Sequence, residues 1–430
     1  MFRFRAFAAA LAVLVPIALV AGPQKQGDQT DWKQFMYMLP PVEQVAQLAD
    51  AREEQGAAKP RPDGTEDVTQ KTARKDRKAR RPRIDLALLL DTSNSMDGLI
   101  NQAKSQLWKV VNDLATARKK GRTPRLRVAL YEYGNQGLPS DGGYVRQVLP
   151  LTDDLDKVSE MLFALSTNGG DEYCGRVIEA ATQGLTWSRN DGDLKLIVIA
   201  GNEPFTQGPV DYKQACGEAA ARGIVINTIF CGTRGEGIAT GWADGAKRAD
   251  GTYSNIDQNQ QIAEIPTPFD DELGRLSGEV NRTYYFFGRV ELREDLSSNQ
   301  AAQDANAFGL GAGIAADRAA TKASGGYRFK NDLVDAFTKN EAILDELEAA
   351  ELPDELKGKS AAEQAEFLKK KSAERDKIQK RIRELTDQRN AYIASERKKQ
   401  ATAGDKSQSL DEALIGALRE QAEKKAFEFK

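Results

Sequence analysis

The sequence contains no histidine among its 430 residues. This absence excludes Ser-His-Asp and Cys-His catalytic arrangements and every histidine-ligated zinc or iron site. Cysteine is scarce as well, because Cys174, Cys216 and Cys231 are too few and too widely spaced for a zinc cluster or a disulfide-based fold. No sign of charge dominates either: 61 basic and 64 acidic residues leave a net charge of -3. That balance argues against a nucleic-acid-binding protein.

The first residues present an export pattern. Arg3 and Arg5 precede an apolar stretch that ends in small residues near Ala21 and Gly22. This order is typical of a secretory signal peptide covering residues 1–22, and it predicts a protein exported to the periplasm or secreted. The alternative is an uncleaved membrane anchor, which the short length and Pro16 disfavour.

Residues 23–82 are polar and lack a sustained periodicity, which predicts a largely disordered linker. The linker ends in a basic run over residues 71–83. Two interpretations of this run stay open: a solvated linker, or a contact with an anionic partner such as the lipid of the cell envelope.

From Ile84 onward, apolar runs alternate with segments of helical periodicity. The run "IDLALLLD" is continuously apolar, as a central strand buried on both faces should be. Five more strand patterns and intervening helical patterns follow, and "VRQVLPLT" has the features of an edge strand. The order predicts an α/β fold over residues 84–288, a doubly wound, mainly parallel six-stranded sheet with helices on both faces.

The remaining chain divides into two parts. Residues 289–330 are rich in alanine and glycine, and no fold follows from their pattern. Residues 331–430 are charged and helical, with Ile378, Leu385 and Tyr392 seven residues apart. This spacing fits self-association through a coiled coil, but Arg375 and Arg389 fall on the same seam and favour a helical hairpin folded back on the main domain or on itself.

The first predicted strand stops on oxygen-bearing side chains, in the sequence "DTSNS". Ligands of open α/β sheets bind beyond the carboxyl ends of the strands. Asp91, Ser93 and Ser95 are two residues apart, so on extended backbone they point the same way. One carboxylate and two hydroxyls suit a hard cation, Mg²⁺ foremost or else Mn²⁺ or Ca²⁺. The alternative is that these residues only cap the following helix.

With this motif placed directly after an apolar first strand, the sequence resembles the von Willebrand factor A family from about residue 84 to 288. The resemblance implies a metal-ion-dependent adhesion site opened by "DTSNS". In the family, a second loop usually supplies a threonine and a third loop an aspartate. The free coordination position is then filled by an acidic side chain of a protein partner. The charged helical tail is similar to that of secreted bacterial members.

The second and third loops depart from the family pattern. In "STNGGDEYCG", Asp171 stands where threonine is usual, with Glu172 next and Thr167 upstream. In "IAGNEPF", Asn202 replaces the acid and Glu203 follows. The expected ligands are Asp91, Ser93, Ser95, Asp171 and Asn202, with Thr167, Glu172 and Glu203 as further candidates.

These features predict a non-enzymatic extracytoplasmic module that uses a divalent cation to bind a carboxylate of a protein partner. The first alternative is a structural scaffold that assembles through its C-terminal helices and keeps a degenerate metal site. The second is an enzyme using the cation as a Lewis acid, which the missing histidine and the lack of a nucleophile motif disfavour.

The cysteines add one expectation, since export permits disulfides. Cys231 ends the fifth predicted strand and Cys174 lies in the second loop, at the same edge of the sheet. We therefore expect a Cys174–Cys231 disulfide, which would stabilise the fold by about 4 kcal/mol.

Overall fold

The computed structural model describes residues 80–259, 264–400 and 410–429. The predicted signal peptide lies outside these residues, and so does nearly all of the predicted linker. Within the described part of the chain, no helix combines the length and the apolar character needed to cross a membrane.

A six-stranded sheet forms the centre of the fold. Its spatial order is β3-β2-β1-β4-β5-β6, with β3 antiparallel at one edge and all other neighbours parallel. The strands are β1 (Arg83–Asp91), β2 (Arg125–Tyr133), β3 (Val145–Thr152), β4 (Leu194–Gly201), β5 (Val225–Cys231) and β6 (Tyr253–Ile256). The predicted doubly wound α/β fold is confirmed, including the edge position of β3.

Alternation along the strands gives the sheet two apolar faces. In β1, Leu86 and Leu90 pack on one face, whereas Ala87 and Leu89 pack on the other. Both sets are buried, which explains why the strand is a continuous apolar run. The register of β1 places Asp91 opposite Tyr133 of β2, so the carboxyl ends of these strands coincide.

Helices cover both faces. Those between the strands are α1 (Asp97–Thr116), α2 (Leu155–Phe163), α3 (Cys174–Gly184), α4 (Tyr212–Ala221), α5 (Arg234–Ala239) and α6 (Trp242–Arg248). Helices α1 and α2 pack on the face of Leu86, and α3, α4 and α6 pack on the opposite face. Helix α1 begins directly after the short 3-10 turn Asn94–Met96, so its amino end starts at the "DTSNS" loop.

Residues beyond the sheet form further helices. They are α7 (Asp270–Asn281), α8 (Val290–Leu310), α9 (Ala312–Ala323), α10 (Leu333–Lys339), α11 (Ile343–Glu346), α12 (Ala361–Gln400) and α13 (Leu410–Lys424). The alanine- and glycine-rich region, for which the pattern predicted no fold, is thus two helices. Helix α13 packs along α1 and adds Leu410, Leu414 and Leu418 to the apolar cluster on that face of the sheet.

The seam of α12 is largely buried within the chain, although Tyr392 at its carboxyl-terminal part is 38% exposed. Ile382 and Leu385 pack against Leu273 and Leu276 of α7. Arg389, on the same seam, is ion-paired with Asp270 at 2.7 Å. The helix folds back on the rest of the protein, as the arginines on the seam favoured, and the apolar stripe is not left free for a coiled coil.

Candidate metal site

The candidate site is built around Asp91, which closes β1 in the middle of the sheet. The last bond from this end of β1 to β2 is made just after Asp91, where the backbone N–H of Thr92 donates to the carbonyl of Tyr133 at 2.9 Å. Asp91 is fully buried. Its Oδ1 accepts from the backbone N–H of Ser93 at 2.8 Å. Its Oδ2 is buried with no hydrogen-bond partner. Since a buried carboxylate oxygen without a donor costs free energy, this atom calls for a positive charge.

The hydroxyl groups of the motif lie together as the sequence predicts. The Oγ atoms of Ser93 and Ser95 are 3.2 Å apart. The Nδ2 of Asn202 is 3.3 Å from the Oγ of Ser95, which joins the loop after β4 to the loop after β1. The structure therefore brings Asp91, Ser93, Ser95 and Asn202 together.

The second loop places Glu172, rather than Asp171, beside Asp91. Glu172 is buried. A Cβ atom added at Gly134 would lie 2.7 Å from Cγ of Glu172 and 3.0 Å from Oδ1 of Asp91, so these two side chains are close to each other. Asp171 is exposed, and its Oδ2 accepts from the hydroxyl of Tyr173 at 3.1 Å. The order of preference between these two neighbours is thus reversed. The backbone N–H of Glu172 donates to Oε1 of Gln207 at 2.7 Å, which fixes the loop in the conformation where the Glu172 side chain is buried.

The two remaining candidates lie at different distances from the centre. Thr167 does not contact Asp91; its hydroxyl donates to Asp97 at the start of α1. Glu203 is half-buried, and its charge acts on both Asp91 and Glu172. Its backbone carbonyl accepts from the indole of the buried Trp242 at 2.8 Å, which holds this loop in place.

The carboxyl groups of Asp91 and Glu172 lie close together without a neighbouring positive charge, and the pKa of each is raised. Burial raises the pKa of Asp91 to about 7, although hydrogen bonding by Ser93 and a weaker interaction with the backbone N–H of Asn202, too poorly aligned to satisfy Oδ2, oppose the rise. Burial, followed by the charges of Asp91 and Glu203, raises the pKa of Glu172 to about 7 as well. Two buried carboxyl groups in one place oppose each other's ionisation, and a divalent cation would relieve both penalties.

The ligand chemistry fits a hard cation. Across the described residues, no three histidine, cysteine or acidic side chains form a metal cluster by themselves. A cation at Asp91 would therefore depend on hydroxyl and amide oxygens as well as on carboxylates. Such a set suits Mg²⁺, which keeps several water ligands, better than Zn²⁺, which prefers nitrogen and sulfur.

The carboxylates of Asp91 and Glu172 fit beside two glycines, because a larger residue at either position would collide with the site. At Gly201, an added Cβ would lie 2.4 Å from the hydroxyl oxygen of Tyr133 and 2.9 Å from Oδ2 of Asp91. At Gly134, where φ is +79°, it would lie 2.7 Å from Cγ of Glu172. Sequence reasoning missed both glycines and Tyr133, whose hydroxyl donates to the carbonyl of Ala200 at 3.1 Å.

Gly201→Ala is therefore expected to displace Asp91, to abolish cation-dependent stabilisation, and to destabilise the protein by about 1–3 kcal/mol. Gly217→Ala in α4 is the matched control, because no atom beyond the glycine's neighbours and its own helix backbone lies within 4 Å of the added Cβ. The control should keep the cation response. Thermal unfolding with and without Mg²⁺ measures both variants, and an unchanged response in Gly201→Ala would contradict the geometry.

The expected Cys174–Cys231 disulfide is wrong, since all three cysteines are free and buried. Cys231 packs in the cluster on one face of the sheet, whereas Cys174 packs in the cluster on the other face. Both lie near the same edge, but the sheet stands between them. Cys174 instead contacts Tyr133, with its Sγ 3.8 Å from the hydroxyl oxygen. Burial raises the pKa of all three thiols.

Denatured, unreduced protein is accordingly expected to yield three alkylated cysteines per chain. The native protein should resist the same reagent, because the thiols are buried and protonated. Mass spectrometry after iodoacetamide treatment gives the count. A count of one in the denatured protein would show that a disulfide forms after all.

Comparison with known proteins places this fold and loop arrangement in a family. The model of the von Willebrand factor type A domain matches residues 85–258. Residues 85–258 are thus similar to a von Willebrand factor type A domain, which confirms the resemblance that the motif and sheet order indicated. A search of curated protein sequences gave no match.

Solved structures with a similar fold include proteins of several kinds. BatB from Bacteroides thetaiotaomicron is 18% identical, with a TM-score of 0.31 over 40% of this chain and 90% of that one. The VWA domain of SpRpn10 is 16% identical, with a TM-score of 0.33 over 42% and 91%. Proximal thread matrix protein 1 of the mussel byssus, solved with a zinc-occupied MIDAS motif, is 12% identical. Its TM-score is 0.30 over 41% of this chain and 42% of that one.

Proposed function

We propose that this protein is a non-enzymatic binding module in which a divalent cation at Asp91 captures a carboxylate of a protein partner. Asp91, Ser93 and Ser95 would hold the cation, with Glu172 and Asn202 from the neighbouring loops and Glu203 nearby. The cation would supply the positive charge that the partner's acidic side chain requires. Domains of this type are generally adhesion or interaction modules rather than enzymes.

One observation carries the proposal: Oδ2 of Asp91 is buried without a hydrogen-bond partner beside a second buried carboxyl group. If "DTSNS" only capped a helix, its side chains would bond to the first turn of α1. Neither the 3-10 turn Asn94–Met96 nor α1 receives a side-chain cap. This favours a ligand-binding loop over the capping alternative.

The scaffold alternative finds less support. Assembly through α12 requires a free apolar stripe, but Ile382 and Leu385 are buried against α7. The arginines of the seam, Arg375 and Arg389, are ion-paired inside the chain as well.

We further propose export to the cell envelope or beyond. The support is the charged start and the apolar stretch of residues 1–22.

The metal is tested first, by thermal unfolding in EDTA and in millimolar Mg²⁺, Mn²⁺, Ca²⁺ or Zn²⁺. At about 100 times its dissociation constant, a bound cation stabilises the native state by about 2.7 kcal/mol. Mg²⁺ or Mn²⁺ should raise the melting temperature, and Glu172→Gln should weaken the effect more than Asp171→Asn. Melting curves unmoved by every cation would refute a functional site.

The partner is tested by retention of envelope-extract proteins on immobilised wild-type protein. Retention should require Mg²⁺, disappear in EDTA, and disappear when the carboxylates of the extract are first converted to amides. Retention that survives amidation would show that the partner is bound through other groups.

A further inference from the structure

The loops around Asp91 carry acidic side chains at their surface. These loops follow the carboxyl ends of strands or lead into α3. They are residues 92–98, 134–144, 164–173, 202–211, 232–236 and 257–259. Their exposed acids, called the acidic rim below, are Asp97, Asp141, Asp171, Asp211, Glu236 and Asp257. Within these segments the one basic residue is Arg234.

Several basic side chains border the rim, and each contacts an aromatic ring or an acid. Lys104 of α1 interacts with the charge of Asp97, and its Nζ lies 5.8 Å from the ring centroid of Phe163. The guanidinium of Arg234 lies 5.5 Å from the ring centroid of Tyr253. In the first turn of α3, Arg176 is ion-paired with Glu179 at 2.6 Å. Lys213, at the start of α4, lies over the ring of Tyr212. The Arg176–Glu179 pair has no net charge, whereas Arg234, Lys213 and Lys104 each keep a positive charge in contact with a ring. Three positive charges thus stand against Glu203 and the six rim acids, and the net charge of the rim, and hence its field, is negative.

The site at the centre does not neutralise this field. A divalent cation balances the charges of Asp91 and Glu172, and the uncompensated Oδ2 of Asp91 is the atom that requires it. Glu203 and the six rim acids remain. An isolated carboxylate approaching the cation would meet repulsion from several sides, because exposed charges act over about 8 Å at physiological ionic strength.

We infer that the partner presents its carboxylate on a segment flanked by lysine or arginine, so that the basic residues bind the acidic rim while the carboxylate reaches the cation. This inference rests on the proposed function and specifies its partner. Charge complementarity of this kind raises the association rate and excludes acidic competitors.

Four fluorescent peptides test it: GKKGEGKKG, GSSGEGSSG, GEEGEGEEG and GKKGQGKKG. Fluorescence polarisation with wild-type protein in Mg²⁺ and 50 mM NaCl should show the first peptide binding at least tenfold tighter than the second, and the third not at all. The fourth should lose the dependence on Mg²⁺. The advantage of the first over the second should shrink in 500 mM NaCl.

A charge variant tests the rim directly. Asp141→Asn, Asp211→Asn and Asp257→Asn together remove three charges and keep an oxygen for the backbone N–H groups of Gly142, Lys213 and Asn259. The control changes Asp345, Asp376 and Asp387, exposed on the C-terminal helices, to Asn. The rim variant should lose at least threefold of the preference for the basic peptide, and the control should keep it.

The outcomes separate the two ideas. Equal affinity for the basic and neutral peptides, with dependence on Mg²⁺ and glutamate retained, overturns the basic-flanked partner and leaves the proposed function standing. Basic peptides that bind equally well in EDTA, or with glutamine in place of glutamate, overturn the proposed function. If no peptide binds at 1 mM in Mg²⁺, both are overturned.

Discussion

Asp91→Asn is expected to abolish stabilisation by Mg²⁺ and, in EDTA at pH 8, to leave the protein more stable than the wild type. The wild type keeps a buried carboxylate whose Oδ2 has no donor. The pKa of about 7, against an ordinary 3.8, sets the scale of the penalty at no more than about 4 kcal/mol. Asn removes the charge and keeps the shape, so part of this penalty is recovered.

The pH dependence has a definite sign. A carboxyl whose pKa is raised by folding destabilises the native state where the unfolded chain is already ionised. For Asp91 this penalty is absent below about pH 4, grows as the pH rises, and is complete above about pH 7. Cation-free wild type should therefore gain stability relative to Asp91→Asn as the pH is lowered from 8 to 6.

Asp171→Asn is the matched control, since Asp171 is an exposed acid one residue from the site carboxyl Glu172. It should keep the full Mg²⁺ response. Urea unfolding at each pH, in EDTA and in Mg²⁺, measures all three proteins. Should Asp91→Asn be less stable than the wild type in EDTA at pH 8, the carboxylate has a stabilising partner and the case for a cation is lost.

Arg318→Met is expected to destabilise the protein by about 3–5 kcal/mol, the usual cost of leaving a buried charge unpaired. Arg318 of α9 is 1% exposed and is ion-paired with the equally buried Asp156 of α2. Its Nε is 2.8 Å from Asp304, and its guanidinium lies 4.4 Å from a ring centroid of Trp108. One side chain thus joins the C-terminal helices to the sheet domain.

Asp156→Asn combined with Arg318→Met should recover part of the loss, because the stranded charge is then gone. Arg381→Met, which removes an exposed ion pair with Glu272, should cost less than about 1 kcal/mol. Urea unfolding monitored by tryptophan fluorescence and by circular dichroism provides the values. A loss under 1 kcal/mol in Arg318→Met would show that the cluster contributes little to the fold.

Apolar periodicity predicted the sheet and the first site loop, because both depend on local pattern. Strands β1, β2, β4 and β5 contain apolar runs of the right length, and the spacing of Asp91, Ser93 and Ser95 fixes their common direction. The choice between Asp171 and Glu172 could not be made in this way. It depends on the conformation of the second loop, in which the backbone N–H of Glu172 donates to the side chain of Gln207, thirty-five residues away.

The two helices within residues 289–330, α8 and α9, escaped prediction for a related reason. Arg318 and Lys322 are buried in α9, and Gln300 and Gln303 are buried in α8, although all four appear as surface residues in an apolar pattern. Their partners, such as Asp156 and Asn281, come from other elements. Cys174 and Cys231 illustrate the same limit, since the face of the sheet that each occupies is a property of the assembled fold.

The position of α13 has a consequence for how the protein is made. Leu410 and Leu414 complete the core beneath β1 and β4, and Glu428 exchanges two backbone hydrogen bonds with Arg118. About three hundred residues are synthesised between α1 and the helix that covers it. During translation α1 and α2 can cover this face, but the apolar side chains that α13 covers stay exposed until that helix is made. Exposed apolar surface of this kind attracts chaperones. Because the helix that completes the core is made late, the domain also stays incompletely folded for longer. An unfolded polypeptide is the form that can pass through a narrow channel.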